Sequence, residues 1–184
     1  MATLYENQLR EPQGPLASFF QSIDIEKRGF LELPDLQSFV FGTSDTLSLS
    51  FMQKRWILLC LTQFHSKINS HDHGQITLSD LSYYATRLLG FFCGRAAQSP
   101  QECLLLSQKN FQTISANKLP ITFSRLRMHL IDKMPILTPH KKVLAHILTQ
   151  SLFLFCSQMT HESISEKRWT DTALALYFEL YNQS

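Results

Sequence analysis

Charge is scarce in this 184-residue chain: 17 Lys and Arg face 15 Asp and Glu, 17% of positions in all, against a usual quarter. The net charge of +2 is too balanced for a dedicated nucleic-acid binder. Glycine (6) and proline (7) are too few for a collagen-like or low-complexity chain, and 44% hydrophobic residues are too many for a disordered one. The cysteines Cys60, Cys93, Cys103 and Cys156 form no CxxC pair, and three sit in apolar runs. Free thiols of a reducing compartment are expected. The longest apolar run, Leu152 to Cys156, falls far short of the roughly 20 residues a membrane span needs. The opening MATLYENQLREPQG has no apolar h-region, and YNQS is no prenylation box. A cytoplasmic protein without a membrane anchor is the expectation. Neither GxGxxG nor GxxxxGK(S/T) occurs, and no nucleophile motif surrounds any cysteine, so no enzyme is expected.

What the chain does have is helical periodicity and 14 phenylalanines. Leu16, Phe19, Phe20 and Ile23 share one helix face, and Leu36, Phe39 and Val40 continue the pattern after Pro34. A longer helix carries Trp56, Leu59, Cys60, Phe64 and Ile68 inward, and Ser79 and Asp80 open another through Leu81, Tyr84, Leu88 and Phe92. The second half repeats the plan. One helix spans Leu104 to Ile114, a second Ser124 to Lys133, a third starts at Thr138 and Pro139, and the last runs from Glu166 to Tyr181. Eight helices in four helix–loop–helix units, an all-α fold, are predicted.

The first loop runs from Asp24 through Glu26, Arg28, Gly29, Phe30, Leu31 and Glu32 to Asp35. The second runs from Asn69 through His71, His73, Gly74, Ile76 and Thr77 to Asp80. Both resemble the twelve-residue loop of the EF-hand superfamily, the fold of calmodulin and centrin. That loop places oxygens at positions 1, 3, 5, 7, 9 and 12 and glycine at 6. Gly29 and Gly74 are in register. The resemblance assigns Asp24, Glu26, the Phe30 carbonyl, Glu32 and Asp35 as candidate ligands for weakly bound calcium or magnesium. Arg28 stands at position 5, where an oxygen belongs. In the second loop only Asp80 supplies a carboxylate, and His71 and His73 offer nitrogen. The third unit, Ser115 to Arg125, lacks glycine and acids, and the fourth, Ser157 to Arg168, ends in a cation. No cofactor is expected in these three.

The resemblance implies two lobes: an extension at 1–13, a pair of units at 14–93, a linker at 94–100 and a degenerate pair at 101–184. It also implies a short two-stranded contact within each pair, Leu31 with Ile76 and Ile121 with Ile164. With few ligands left, the family's ion-driven opening gives way to a constitutive groove for a partner helix or peptide. The implied role is a non-catalytic structural or adaptor subunit of a larger cytoskeletal or axonemal assembly. The alternative is a calcium sensor or buffer working through the first loop alone.

Leu89, Phe91, Phe92, Leu152 and Phe155 lie in runs that are apolar on every helical face. A surface helix needs about a third of its circumference buried. The surplus points to partner burial at these five residues, with a deep core between the lobes as the other solution. His65, His71 and His73 have zinc-ligand chemistry, though exposed loop histidines are the expected reading. Arg125, Arg127, Lys133, Lys141 and Lys142 make a basic region: a solvated face, or a contact for an acidic surface such as tubulin tails or RNA.

Overall fold

Helix starts in this chain are written by proline and by hydroxyl side chains. Pro15 and Pro100 stand in the first turns of α1 (Pro15–Ile23) and α5 (Pro100–Ile114), where a missing N–H leaves no bond unmade. Ser99 accepts the Glu102 N–H at 3.1 Å to cap α5. Thr77 and Asp80 cap the start of α4 (Leu78–Cys93) reciprocally, satisfying two amide hydrogens that have no partner inside the helix. Thr122 caps α6 (Phe123–Lys133) in one direction only, its hydroxyl accepting the Arg125 N–H at 3.3 Å. The remaining helices are α2 (Leu33–Phe41), α3 (Phe51–Ile68), α7 (Lys141–Phe155) and α8 (Glu166–Tyr181). The computed structural model describes residues 14–42, 50–68, 74–116, 119–135, 141–159 and 161–181. The extension at 1–13, the second loop's Asn69, His71 and His73, and the cap at Thr138 and Pro139 lie outside these.

The all-α expectation holds, with a minimal antiparallel β component where it was predicted. Leu31 and Ile76 exchange both backbone bonds, N–H to carbonyl, at 2.7 and 2.8 Å. In the second half β1 (Ile121–Thr122) pairs antiparallel with β2 (Ser163–Ile164), Ile121 opposite Ile164. All four anchor side chains are fully buried. The turns feeding the first contact use glycine for its conformational freedom: Gly29 and Gly74 sit at φ +79° and +69°, a region costly for other residues.

The two halves expected as lobes share one core. Trp169 of α8, fully buried, lies 4.6 Å from the Phe92 ring of α4 with the two planes tilted by 58°, and donates its indole N–H to the Phe92 carbonyl at 3.1 Å. Asn110 of α5 donates to the Phe91 and Phe92 carbonyls at 2.8 and 3.1 Å. The last carbonyls of α4, which have no partner within their own helix, are thus taken up by residues of the second half. Phe19 of α1 stacks on Phe155 of α7, centroids 4.5 Å apart. Gly14 offers no side chain to cap α1, and Glu179 of α8 does so from the far end of the chain, accepting the Leu16 and Ala17 N–H groups at 2.8 and 3.0 Å. Segment 94–100 is pinned at both ends: Gly94 turns left-handed at φ +77° to end α4, and Glu102 accepts the Gln98 N–H.

This packing corrects four of the five expected partner contacts. Leu89, Phe92, Leu152 and Phe155 are buried inside the shared core, which absorbs the all-round apolar helices that a solitary lobe could not cover. Among the described residues no helix is long and apolar enough to cross a membrane.

Candidate functional site

The first loop is a compact charge cluster built by its own backbone turn. Asp24, only 6% exposed, accepts the Arg28 N–H at 2.9 Å and the Gly29 N–H at 2.8 Å, one on each carboxylate oxygen. Closing the loop this way swings the Arg28 side chain across its mouth. Its Nη1 donates to Glu32 Oε2 at 3.0 Å and its Nη2 to Asp35 Oδ2 at 2.6 Å, while Nε lies 3.3 Å from Glu26 Oε2. The guanidinium also sits over the Phe30 ring, 4.9 Å from its centroid. The hydrogen bond to Glu32, then the charges of Asp35 and Glu26, hold its pKa above the ordinary value. Asp35 Oδ2 accepts the Glu32 N–H at 2.7 Å as well, so the same carboxylate anchors the start of α2.

These residues test the fit of a hard cation directly. Calcium needs six to eight oxygens converging at about 2.3–2.6 Å. Here three of the four candidate carboxylates converge on a guanidinium, and the fourth spends both oxygens on backbone N–H groups. An ion placed among them would meet a fixed positive charge. The donor set as folded does not fit the metal, and among the described residues no group of three or more His, Cys, Asp or Glu is arranged to hold one. Asp80, the lone acid of the second loop, serves as a helix cap, accepting the Thr77 N–H at 2.8 Å. His65 Nε2 lies 2.8 Å from the Gly74 carbonyl. A carbonyl only accepts, so Nε2 carries the hydrogen there, fastening α3 to the second turn.

The apolar faces of α1 to α4, which an open pair of units would offer to a partner, are turned toward α7. Leu144, Ile147 and Leu148 of α7 and Met134 face Phe19, Leu36, Val40 and Leu61 across a residual cavity of about 180 Å³. Tyr84 donates to Ser151 at 3.2 Å within this contact, and burial pushes its pKa up to about 12. Phe91, the fifth expected partner residue, is half-buried and lines a separate open groove between α4, α5 and α6.

All four cysteines are free thiols. Folding brings Cys93 and Cys103 together, their sulfurs 3.7 Å apart. Burial pushes Cys156 up to about 12 and also raises Cys60. The hydrogen bond between Cys93 and Cys103 raises the Cys93 thiol and lowers Cys103 below its ordinary value. The sequence marked Arg28 only as an intruder among ligands, and its central position could have been suspected from the three acids spaced around it. Nothing local signalled Glu179 as the cap of α1. The chain matches no known family model, no curated protein and no solved structure.

Proposed function

We propose that this chain is an EF-hand-like, non-catalytic adaptor that keeps its shape without an ion and holds a partner protein in an intracellular assembly. The observation that carries the reading is the Arg28 cluster: a guanidinium gathers Glu26, Glu32 and Asp35 where the resembled loop gathers its cation. A built-in charge of this kind offsets part of the carboxylates' mutual repulsion permanently and occupies the place an ion would take, so the loop has no empty and filled states to switch between. The Leu31–Ile76 and Ile121–Ile164 pairings support the family reading, because they join the loops in two pairs at the position the family uses. The assembly is of the cytoskeletal or axonemal kind that the resemblance implies. The sensor reading is disfavoured by the same guanidinium.

Calorimetric titration with calcium and then magnesium, paired with thermal melts in chelator and in each ion, separates the two. The adaptor reading expects no binding heat and coincident melts. A sensor with an ion at a hundred times its Kd gains about 2.7 kcal/mol, which raises Tm by about 5–11 °C in a chain of this size. Such a shift overturns the reading.

A further inference from the structure

We propose that the open groove between α4, α5 and α6 receives an acidic amphipathic helix of a partner protein; this rests on the adaptor reading above and names the partner's chemistry. The groove has a volume of about 650 Å³. Phe91, Leu106, Leu126 and Leu130 supply apolar lining, and Gly90 leaves the α4 wall open, since an added Cβ there would meet nothing within 4 Å.

Its rim is basic from every side. Arg87 comes from α4, Lys109 from α5 and Lys133 from α6, with His129 also lining it but held toward its neutral form by burial, while no carboxylate is among the described residues lining it. Arg95, also on the rim, is already paired with Glu102 at 2.6 Å, so it adds little net charge. Arg87 lies over the Tyr83 ring and donates to its hydroxyl at 2.9 Å, an arrangement that leaves its charge uncompensated. Asp132 on α6 offsets part of the charge near His129. An occupant matching this surface is apolar on one side and anionic along both flanks.

The groove's openness selects among anionic occupants. A fatty acyl chain needs walls around it, and here one side faces solvent, so the occupant must bring its own polar outer face. An amphipathic helix does this, with anchors at i, i+3, i+4 and i+7 entering the groove and glutamates meeting the rim. The basic region seen around the third unit thereby acquires a role: Lys133 is one of its members.

The test is selection of binders from a display library of randomised amphipathic helices against the intact chain. Enriched sequences are expected to be net acidic. Their affinity, read by fluorescence anisotropy, should fall about tenfold or more in Lys109→Glu/Lys133→Glu and fall again as salt rises. Both lysines are exposed, so this variant should keep the parent circular dichroism and melt. Gly90→Leu, which adds bulk to the groove without changing charge, should block the same peptides. Neutral or basic winners, or winners indifferent to both variants, overturn the proposal. So does sedimentation with phosphatidylserine vesicles that the lysine variant abolishes when no acidic peptide is enriched, because the groove then reads a membrane. Partners recovered equally by parent and lysine variant from native cells sink the groove but leave the adaptor reading standing. Recovery by neither, with no peptide enriched, sinks both.

Discussion

Trp169 offers the sharpest test of whether the two halves are one folding unit. Its ring is fully buried, lies 4.6 Å from Phe92 and 6.4 Å from Phe111, and its N–H is bonded to the Phe92 carbonyl. Trp169→Ala removes that ring from the seam between α4, α5 and α8. Truncations of this kind cost about 3–5 kcal/mol. The polar share is small, because the Phe92 carbonyl keeps its bond from Asn110. In a chain of this length each kcal/mol moves Tm by about 2–4 °C, so a drop of about 6–20 °C is expected. Trp169→Phe keeps most of the ring and loses the hydrogen bond, costing about 1–2 kcal/mol, and serves if the alanine variant does not fold. The assay is thermal denaturation followed by far-UV circular dichroism and by fluorescence of Trp56, the other tryptophan, in the first half. With one shared core both probes shift together in a single transition. If the Trp56 signal still melts at the parent temperature while the dichroism splits into two steps, the halves are independent lobes and the reasoning fails.

Three further outcomes follow from particular contacts. Arg28→Ser removes the central cation and puts an oxygen at its position, so the variant should melt lower than the parent in chelator and recover on adding calcium; a calcium-indifferent variant would refute the view that Arg28 stands in for an ion. Glu179→Ala strips the distant cap from α1 and should cost about 0.5–2 kcal/mol in chemical denaturation, whereas the neighbouring exposed Phe178→Ala should be near neutral. His129 is held below its ordinary pKa, first by burial and then by Lys133 and Arg125. The unfolded chain therefore binds more protons below pH 6.5, and stability falls on acidification from there toward the lower folded-state pKa. On going from neutral to mildly acidic pH the parent's Tm should fall further than that of His129→Gln, and equal falls in the two would refute this.

The elements legible in the sequence are those fixed by neighbours along the chain. Pro34 and Asp80 announce helix starts because the residues that shape a first turn lie within it, whereas the hydroxyl caps at Thr77 and Ser99 leave no mark in the apolar periodicity, and α5 begins at Pro100 inside the expected linker. Gly29 and Gly74 announce turns because the backbone there needs a positive φ, and Leu31, Ile76, Ile121 and Ile164 could be paired because each falls at the same register of its loop. What stayed hidden depends on residues far apart. Helices apolar all round, such as the one holding Leu152 and Phe155, look the same whether a partner or the chain's other half covers them. Glu179 and Leu16 are 163 positions apart. Arg28 read as a lost ligand because a linear motif records which atom type is missing. That a guanidinium fork reaches three carboxylates at once is a property of the closed loop.

The same packing bears on how a partner can be received. If α7 were to leave the first half, Phe19 and Phe155, now 4% and 3% exposed, would be uncovered. At about 1.5–3 kcal/mol for each buried side chain, that alone costs roughly 3–6 kcal/mol, before Leu144, Ile147 and Leu148 are counted. An ion at a hundred times its Kd yields about 2.7 kcal/mol, and here the loop that would take it is closed by Arg28. On the adaptor reading, an ion at that saturation falls short of the cost of exposing this face. A partner of the proposed kind would either bring the energy to displace α7 or use a surface that is already open. The α4–α5–α6 groove meets the second condition with no rearrangement of the core. Tethering α7 to α1 by a disulfide between cysteines introduced at their contact should then leave binding of acidic helices intact, and loss of that binding in the oxidised form would show that the partner enters by displacing α7 instead.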